Sequence, residues 1–283
     1  TIPSEAPRQL YAINIGPDNV QPTISHNAIP YFLNFKQNLE ITTKVEDNLG
    51  IDTVFVEYSL NGVEQAPFGL HLDEENMYTG EFEFDLENLK DGDVITYNIS
   101  AIDASLARNK KKIPFKDKFS FKVEEIFSPV AGYSNDFNTP TNHFVISDFD
   151  IFTASGFEDA ALHSSHPYLS PRMDNTYWNF ATILKIPIIL YEDAVMSFDE
   201  VVLVEPGEPG TKFGDDEFWD YVIIEASKDL GKNWLPLIDG YDSNENILWT
   251  NAYNESIVDQ TSVTAGKTAY YLRKEINLLG NGN

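Results

Sequence analysis

Apolar and polar residues alternate with a period of two through much of the first half of the chain. Leu39 to Val45 (LEITTKV) and Thr53 to Leu60 (TVFVEYSL) read this way, and Asn61-Gly62 follows the second run. An extended backbone sends successive side chains to opposite faces, so the alternation predicts strands with one buried face. Asn-Gly is the dipeptide best suited to a two-residue hairpin turn. The pattern returns at Tyr78 to Phe84 (YTGEFEF), at Val94 to Ile102 (VITYNISAI) after an Asp91-Gly92 turn, and at Phe119 to Val123 (FSFKV). Tyr97 falls on a core position of its strand.

From residue 128 the texture changes. Ser128 to Pro140 (SPVAGYSNDFNTP) is rich in turn-forming residues that cannot extend a ladder. This places a linker at 128 to 135, after an N-terminal extension (1 to 21) and a first domain (22 to 127). A second domain follows at 136 to 283. In it, His143 to Phe152 (HFVISDFDIF), Ile183 to Tyr191 (ILKIPIILY), Ala194 to Val204 (AVMSFDEVVLV) and Phe218 to Glu225 (FWDYVIIE) predict strands. Pro187 marks the second of these as an edge or a bulge. No amphipathic helical stretch of comparable strength stands out. The fold class predicted is all-β, two sandwiches in series.

Composition sharpens this picture. Aromatic residues are plentiful, with 19 Phe, 14 Tyr and 4 Trp, and they sit beside β-branched residues as in strands. The 19 basic and 45 acidic side chains leave a formal charge of −26. The excess is shared: 11 basic against 21 acidic side chains in residues 1 to 132, and 8 against 24 in the remainder. Such a surface repels phosphate backbones and anionic lipid, which excludes nucleic acid as a partner class. A basic run, Arg108, Lys110, Lys111, Lys112, Lys116, Lys118 and Lys122, is read as the guard of an exposed edge strand. With no cysteine there is neither a disulfide framework nor a thiolate metal site. No segment is apolar for long enough to predict membrane insertion.

Two resemblances rest on particular residues. The stretches DNLGIDTVFVEYSLNG (47 to 62), MYTGEFEF and GDVITYNISAIDASLARNKKKIP, together with about seven short strands and regular turn signals, resemble the Ig-like or fibronectin-like modules of large secreted Bacteroidetes proteins. GFEDAALHSSHPY (156 to 168), MSFDEVVLVEPGEPG (196 to 210) and FGDDEFWDYVIIEASKDLGKNWLPLIDGYDS (213 to 243) resemble a jelly-roll module of cell-surface proteins exported by the type IX secretion system. That module is similar to cleaved-adhesin, MAM-like and immune-inhibitor-A-type C-terminal domains. The resemblance implies an Ig-like β-sandwich followed by a jelly-roll β-sandwich. The family continues with an arginine-bearing and an aromatic-rich strand, whereas the chain stops at LLGNGN, which implies either a truncated second sandwich or one completed otherwise.

Candidate chemistry is thin. Ser227-Lys-Asp229-Leu-Gly231-Lys-Asn-Trp234 matches the S-x-D-x-G-x-x-W Asp box, a polar turn joining two antiparallel strands with the tryptophan as anchor. It occurs once, whereas a propeller would repeat it blade by blade. HExxH, GxSxG, the P-loop and GxGxxG are absent from the sequence. The pair His163 and His166 lies in a loop before Pro167 with no third ligand marked by spacing. Clustered carboxylates on turns suit calcium, a cation that takes six to eight oxygen ligands. The candidates are Asp148, Asp150, Asp199, Glu200, Asp215, Asp216 and Asp220, with Glu217 in the same loop. Trp219, Tyr221 and Trp234 are read as packing residues, whereas Tyr168, Tyr177, Trp178 and Trp249 lie in loop-like segments and would stack on a sugar.

These features predict a noncatalytic extracellular or cell-surface segment of a larger bacterial protein, serving as spacer, adhesin or binding module. Its partners would be a glycan or a protein of the cell surface or secretion machinery. The alternatives are a carbohydrate-binding module, or accessory domains of a secreted peptidase or glycosidase whose catalytic domain lies elsewhere.

Overall fold

The computed structural model describes residues 16–146, 148–168, 179–259 and 261–279. The chain divides into two compact units, Thr1–Glu124 and Glu125–Asn283. The boundary falls before the predicted linker. Phe127 N–H donates to Lys185 O (3.0 Å) and Val130 N–H to Pro187 O (3.0 Å), which builds the start of the linker into the second unit.

The described residues of unit 1 hold ten strands: β1 (Thr23–Ser25), β2 (Tyr31–Asn34), β3 (Leu39–Glu46), β4 (Ile51–Leu60), β5 (Val63–Glu64), β6 (Phe68–Leu72), β7 (Met77–Phe82), β8 (Val94–Asp103), β9 (Lys110–Ile113) and β10 (Phe119–Glu125). They form one sheet in the order β1-β3-β7-β6-β4-β8-β10-β2, with β5 beside β4 and β9 beside β8. Alternation is what builds it: along β3, Ile41, Thr43 and Val45 are buried while the residues between them face solvent. Asn61 (φ 50°) and Gly62 (φ 79°) are both left-handed, as a two-residue hairpin turn requires, and connect β4 to β5.

The sheet curls on itself. Phe82 of β7 meets Tyr97 of β8 (5.7 Å) and Phe121 of β10 (5.7 Å) although β7 is a sheet neighbour of neither strand. These rings, with Val45, Val54, Val56, Ile95, Ile99 and Val123, close a continuous core. Tyr97 is fully buried, as its sequence position predicts. Its hydroxyl accepts from Ile29 N–H (3.1 Å) and bonds His26 Nε2 (2.8 Å), so a buried phenol keeps its polar end satisfied.

The basic run is more than a solvated guard. Arg108 pairs with Asp52 (2.7 Å), Lys112 with Glu57 (3.3 Å) and Lys118 with Glu64 (2.9 Å), while Lys110 Nζ lies 4.9 Å from the Phe55 ring centre. The run thus lies across acidic positions of β4 and β5.

Unit 2 is also built of strands, but in short pairs: β11 (Phe144–Ile146) with β14 (Thr182–Leu184), β12 (Phe149–Phe152) with β13 (Ala161–Ser164), and β15 (Val195–Glu200) with β20 (Leu272–Asn277). Two smaller hairpins join β16 (Glu225–Ala226) to β17 (Leu235–Pro236) and β18 (Ile257–Val258) to β19 (Thr261–Ser262).

Three predicted strands are shorter than their patterns. Of Ile183 to Tyr191 only the start lies in a strand, since after Pro187 the chain makes a single parallel bridge, Ile188 to Val130. Ala194 to Val204 leaves the ladder after Glu200. Phe218 to Glu225 is mostly irregular and bridges once, Val222 to Tyr241, before β16.

One helix was not anticipated, α1 (Ile247–Glu255). The Asn246 side chain accepts from Leu248 N–H (2.9 Å) as its N-cap. Trp249, Ala252 and Tyr253 form its buried side. Trp249 and Ala252 join Val202, Leu203, Tyr241 and Tyr270 in the core cluster of this unit.

Candidate functional site

The acidic candidates of unit 2 are engaged inside the fold or dispersed. Asp148 Oδ2 accepts from Ala181 N–H (3.2 Å), and Asp150 stands exposed on β12. Asp199 sits opposite Arg273 on β20 and pairs with it at 3.3 Å. Asp215 caps its own turn by accepting from Lys212 N–H (2.8 Å), beside an exposed Asp216. Among the described residues, no three acidic or histidine side chains of this unit converge at metal-ligand distance.

Two carboxylates are instead matched to phenols. Asp220 Oδ2 accepts from the Tyr168 hydroxyl (2.6 Å), which in turn accepts from Glu205 N–H (2.9 Å). Burial, then the Asp220 carboxylate, drives the Tyr168 phenol far above its ordinary range. Burial and then Asp220 also raise Glu205, and burial with Glu205 and Asp220 pushes Tyr253 up to about 12. Glu200 accepts from the Tyr241 hydroxyl through both oxygens (3.0 and 2.8 Å). Burial raises its carboxyl, outweighing the opposing effects of Tyr241 and Lys274. Lys274 Nζ stands 3.7 Å from the Tyr241 ring centre and pairs with Glu245 at 2.8 Å.

These groups lock loops together. The EPGEPG segment is held by Asp242, whose Oδ2 accepts from Gly207 N–H (2.8 Å), while Asn244 Nδ2 donates to Gly207 O (3.0 Å).

The aromatic candidates part company. Trp249 is 2% exposed on α1 and donates through Nε1 to Tyr270 O (2.8 Å), so the expected stacking residue is a core residue. Its segment reads as a loop because a nine-residue helix shows little periodicity, and only the Asn246 cap signals it. Tyr168 is half-buried with its hydroxyl engaged. Tyr177 and Trp178 lie outside the described residues. Trp219 and Tyr221 do face solvent, each 48% exposed, which corrects their reading as packing residues. They stand two apart in sequence, and Phe213 supports Tyr221 edge-on at 5.0 Å.

The Asp box adopts the geometry its pattern implies. Ser227 Oγ donates to Asp229 Oδ1 (2.9 Å) and accepts from Gly231 N–H (2.8 Å), and Asp229 Oδ1 accepts from Asn233 N–H (2.9 Å). Trp234 Nε1 closes the turn on Gly231 O (3.1 Å). The Asn233 side chain and backbone, then Ser227, hold the Asp229 carboxyl down at about 2. His163, set between Phe152 (4.8 Å) and Phe157 (5.3 Å), has its basicity lowered by burial, and His166 Nε2 bonds Thr264 O (2.9 Å).

The acidic group that does converge lies in unit 1 and escapes a search for local clusters. Asp18, Asp47 and Asp103 each place one carboxylate oxygen within 4.8 Å of the others. Register brings them together: Thr23 at the start of β1 pairs with Glu46 at the end of β3, and Ile51 at the start of β4 pairs with Asp103 at the end of β8. In the sequence the three are far apart: Asp18 lies ahead of β1, Asp47 directly follows β3, and Asp103 ends β8.

In comparisons with known proteins, no family model matches the chain and no curated protein matches it.

Proposed function

We propose that the chain is a noncatalytic extracellular segment of a large secreted or cell-surface bacterial protein, an Ig-like sandwich followed by a jelly roll. It acts as a spacer, adhesin or binding module. The observation that carries this reading is the engagement of unit 2's acidic candidates in its own architecture: Asp199 with Arg273, Glu200 with Tyr241, Asp220 with Tyr168. Carboxylates so committed serve as ties between loops. The acidic surface of both halves, with a formal charge of −26 overall, suits an exported protein whose partners are neither nucleic acid nor anionic lipid.

Two measurements test the reading. Proteolytic shaving of intact cells that carry the native protein releases its peptides, and protection until lysis overturns the extracellular placement. Peptide and glycoside substrates incubated with the purified chain stay intact, and turnover that persists through repurification overturns the noncatalytic assignment.

One observation favours glycan as the ligand of such a module. Trp219 and Tyr221 offer two half-exposed rings two residues apart on one segment, and aromatic faces stack on sugar rings. On a glycan array, binding by the wild type that Trp219→Ala abolishes supports this ligand. Binding unchanged in Trp219→Ala and Tyr221→Ala removes it.

A further inference from the structure

Unit 1 gathers three aspartates at one end of its sheet, and its own hydrogen bonds leave two of them incomplete. Asp103 is fully buried and well supplied: Oδ1 accepts from Ser105 N–H (3.2 Å), Ser105 Oγ (2.8 Å) and Asn109 N–H (2.9 Å), and Oδ2 accepts from Asn109 Nδ2 (2.8 Å). Asp47 uses only Oδ1, accepting from Leu49 N–H (2.8 Å). Asp18 likewise uses Oδ1, which accepts from Val20 N–H (3.1 Å) and Asn48 Nδ2 (3.5 Å). The Oδ2 atoms of Asp18 and Asp47 are shut away from solvent and accept nothing. A carboxylate oxygen has two lone pairs to satisfy, and leaving it dry and unpartnered is costly.

Charge makes the deficit sharper. Three carboxylates within 4.8 Å of one another repel, and among the described residues no lysine, arginine or histidine pairs with any of them. Arg108, in the same turn as Asp103, is committed to Asp52 instead. Asn109 Nδ2 also donates to Asp18 O (3.1 Å), so two of the three segments are joined whether or not anything sits between the carboxylates.

We propose that Asp18, Asp47 and Asp103 form a calcium site that ties the chain ahead of β1 to the turns after β3 and β8. The donors are all oxygen, which selects a hard cation over zinc or copper. They come from three separate segments, an irregular frame that suits the variable coordination of calcium better than the tight octahedron of magnesium. Backbone carbonyls and water complete the shell. This site is distinct from the acidic loop of unit 2 and stands whether or not the chain proves to be extracellular.

The test uses the full chain stripped with chelator, titrated with calcium chloride and followed by calorimetry and thermal unfolding. At about ten times Kd, calcium raises the midpoint of unit 1 by roughly 5 to 10 °C, and magnesium at equal concentration does much less. In the double variant Asp18→Asn, Asp47→Asn the calcium response disappears, while in chelator the variant is at least as stable as the wild type because the repulsion is gone. A wild type indifferent to calcium overturns the proposal, as does a double variant that responds like the wild type. Hydrogen exchange on the wild type covers the case of a variant that fails to fold. Calcium-dependent protection at residues 17–20, 47–50 and 103–109 supports the site, and unchanged exchange there sinks it.

Discussion

The two units solve the same problem, burying one face of many short strands, by different means. Unit 1 does it with one sheet whose alternating residues close a core of fifteen buried side chains. Among the described residues, unit 2 has five separate two-stranded pairs and a core cluster of six around Trp249, and holds its long loops with side-chain hydrogen bonds. The difference teaches what regular alternation contributes. Where it persists, backbone ladders satisfy the polar groups and side chains need only be apolar. Where it lapses, each loop needs an acid, an amide or a hydroxyl of its own to satisfy its backbone.

The contrast is broken most severely at the centres of the two cores. Phe82→Ala removes the ring that touches Tyr58, Phe68, Phe84, Tyr97 and Phe121, and is expected to destabilise unit 1 by about 3–5 kcal/mol in urea unfolding. Trp249→Ala should cost unit 2 a similar amount, and because that core is smaller the loss should unfold it outright, seen as collapse of near-ultraviolet dichroism.

Next comes Asp242→Ala, which strips the buried acceptor from Gly207 and Asn244. About 2–3 kcal/mol is expected, confined to unit 2. Accelerated amide exchange at Gly207 with unit 1 unaffected is the signature, and no change would mean that the loop is held elsewhere.

The units also differ in their response to acid. In unit 1, burial lowers the basicity of His26 below its ordinary 6.5 despite the Thr42 hydrogen bond, so the fold prefers the neutral ring. Its contribution is complete above pH 6.5 and lost as pH falls through the lower folded value. In unit 2, burial raises Glu200 and Glu205 above 4.5, so their contribution is complete below pH 4.5 and lost as pH rises through the folded values. His163 acts within unit 2 as His26 does in unit 1 and opposes them. Glu205→Gln should therefore stabilise unit 2 at pH 7 and leave it unchanged at pH 4, measured as unfolding midpoints at both values. An equal effect at both would refute the assignment.

The smallest effect belongs to the surface. Lys118→Ala breaks an exposed pair with Glu64 and should move the stability of unit 1 by less than about 1 kcal/mol, a shift that salt erases.

Unit 1 was largely legible because its signal is local. LEITTKV and TVFVEYSL became β3 and most of β4, and the Asn61-Gly62 turn sits where the dipeptide places it. The Asp box was legible for the same reason: its serine, aspartate, glycine and tryptophan all act within eight residues. ILKIPIILY and FWDYVIIE were over-read, since an apolar run supplies residues for a core without supplying a neighbour for the ladder. Trp249 was misread because one cap and two turns of helix leave a weaker trace than a strand does.

By itself the sequence determined a chain built of strands, a strongly acidic surface, the hairpin turns and the Asp box, because each depends on residues close in sequence. Only the tertiary structure decided which acids meet. Asp215 and Asp216 are neighbours in sequence, yet one caps a turn and the other stands exposed, whereas Asp18, Asp47 and Asp103 are far apart in sequence and converge. Strand register sets those meetings, and register is a property of the whole sheet.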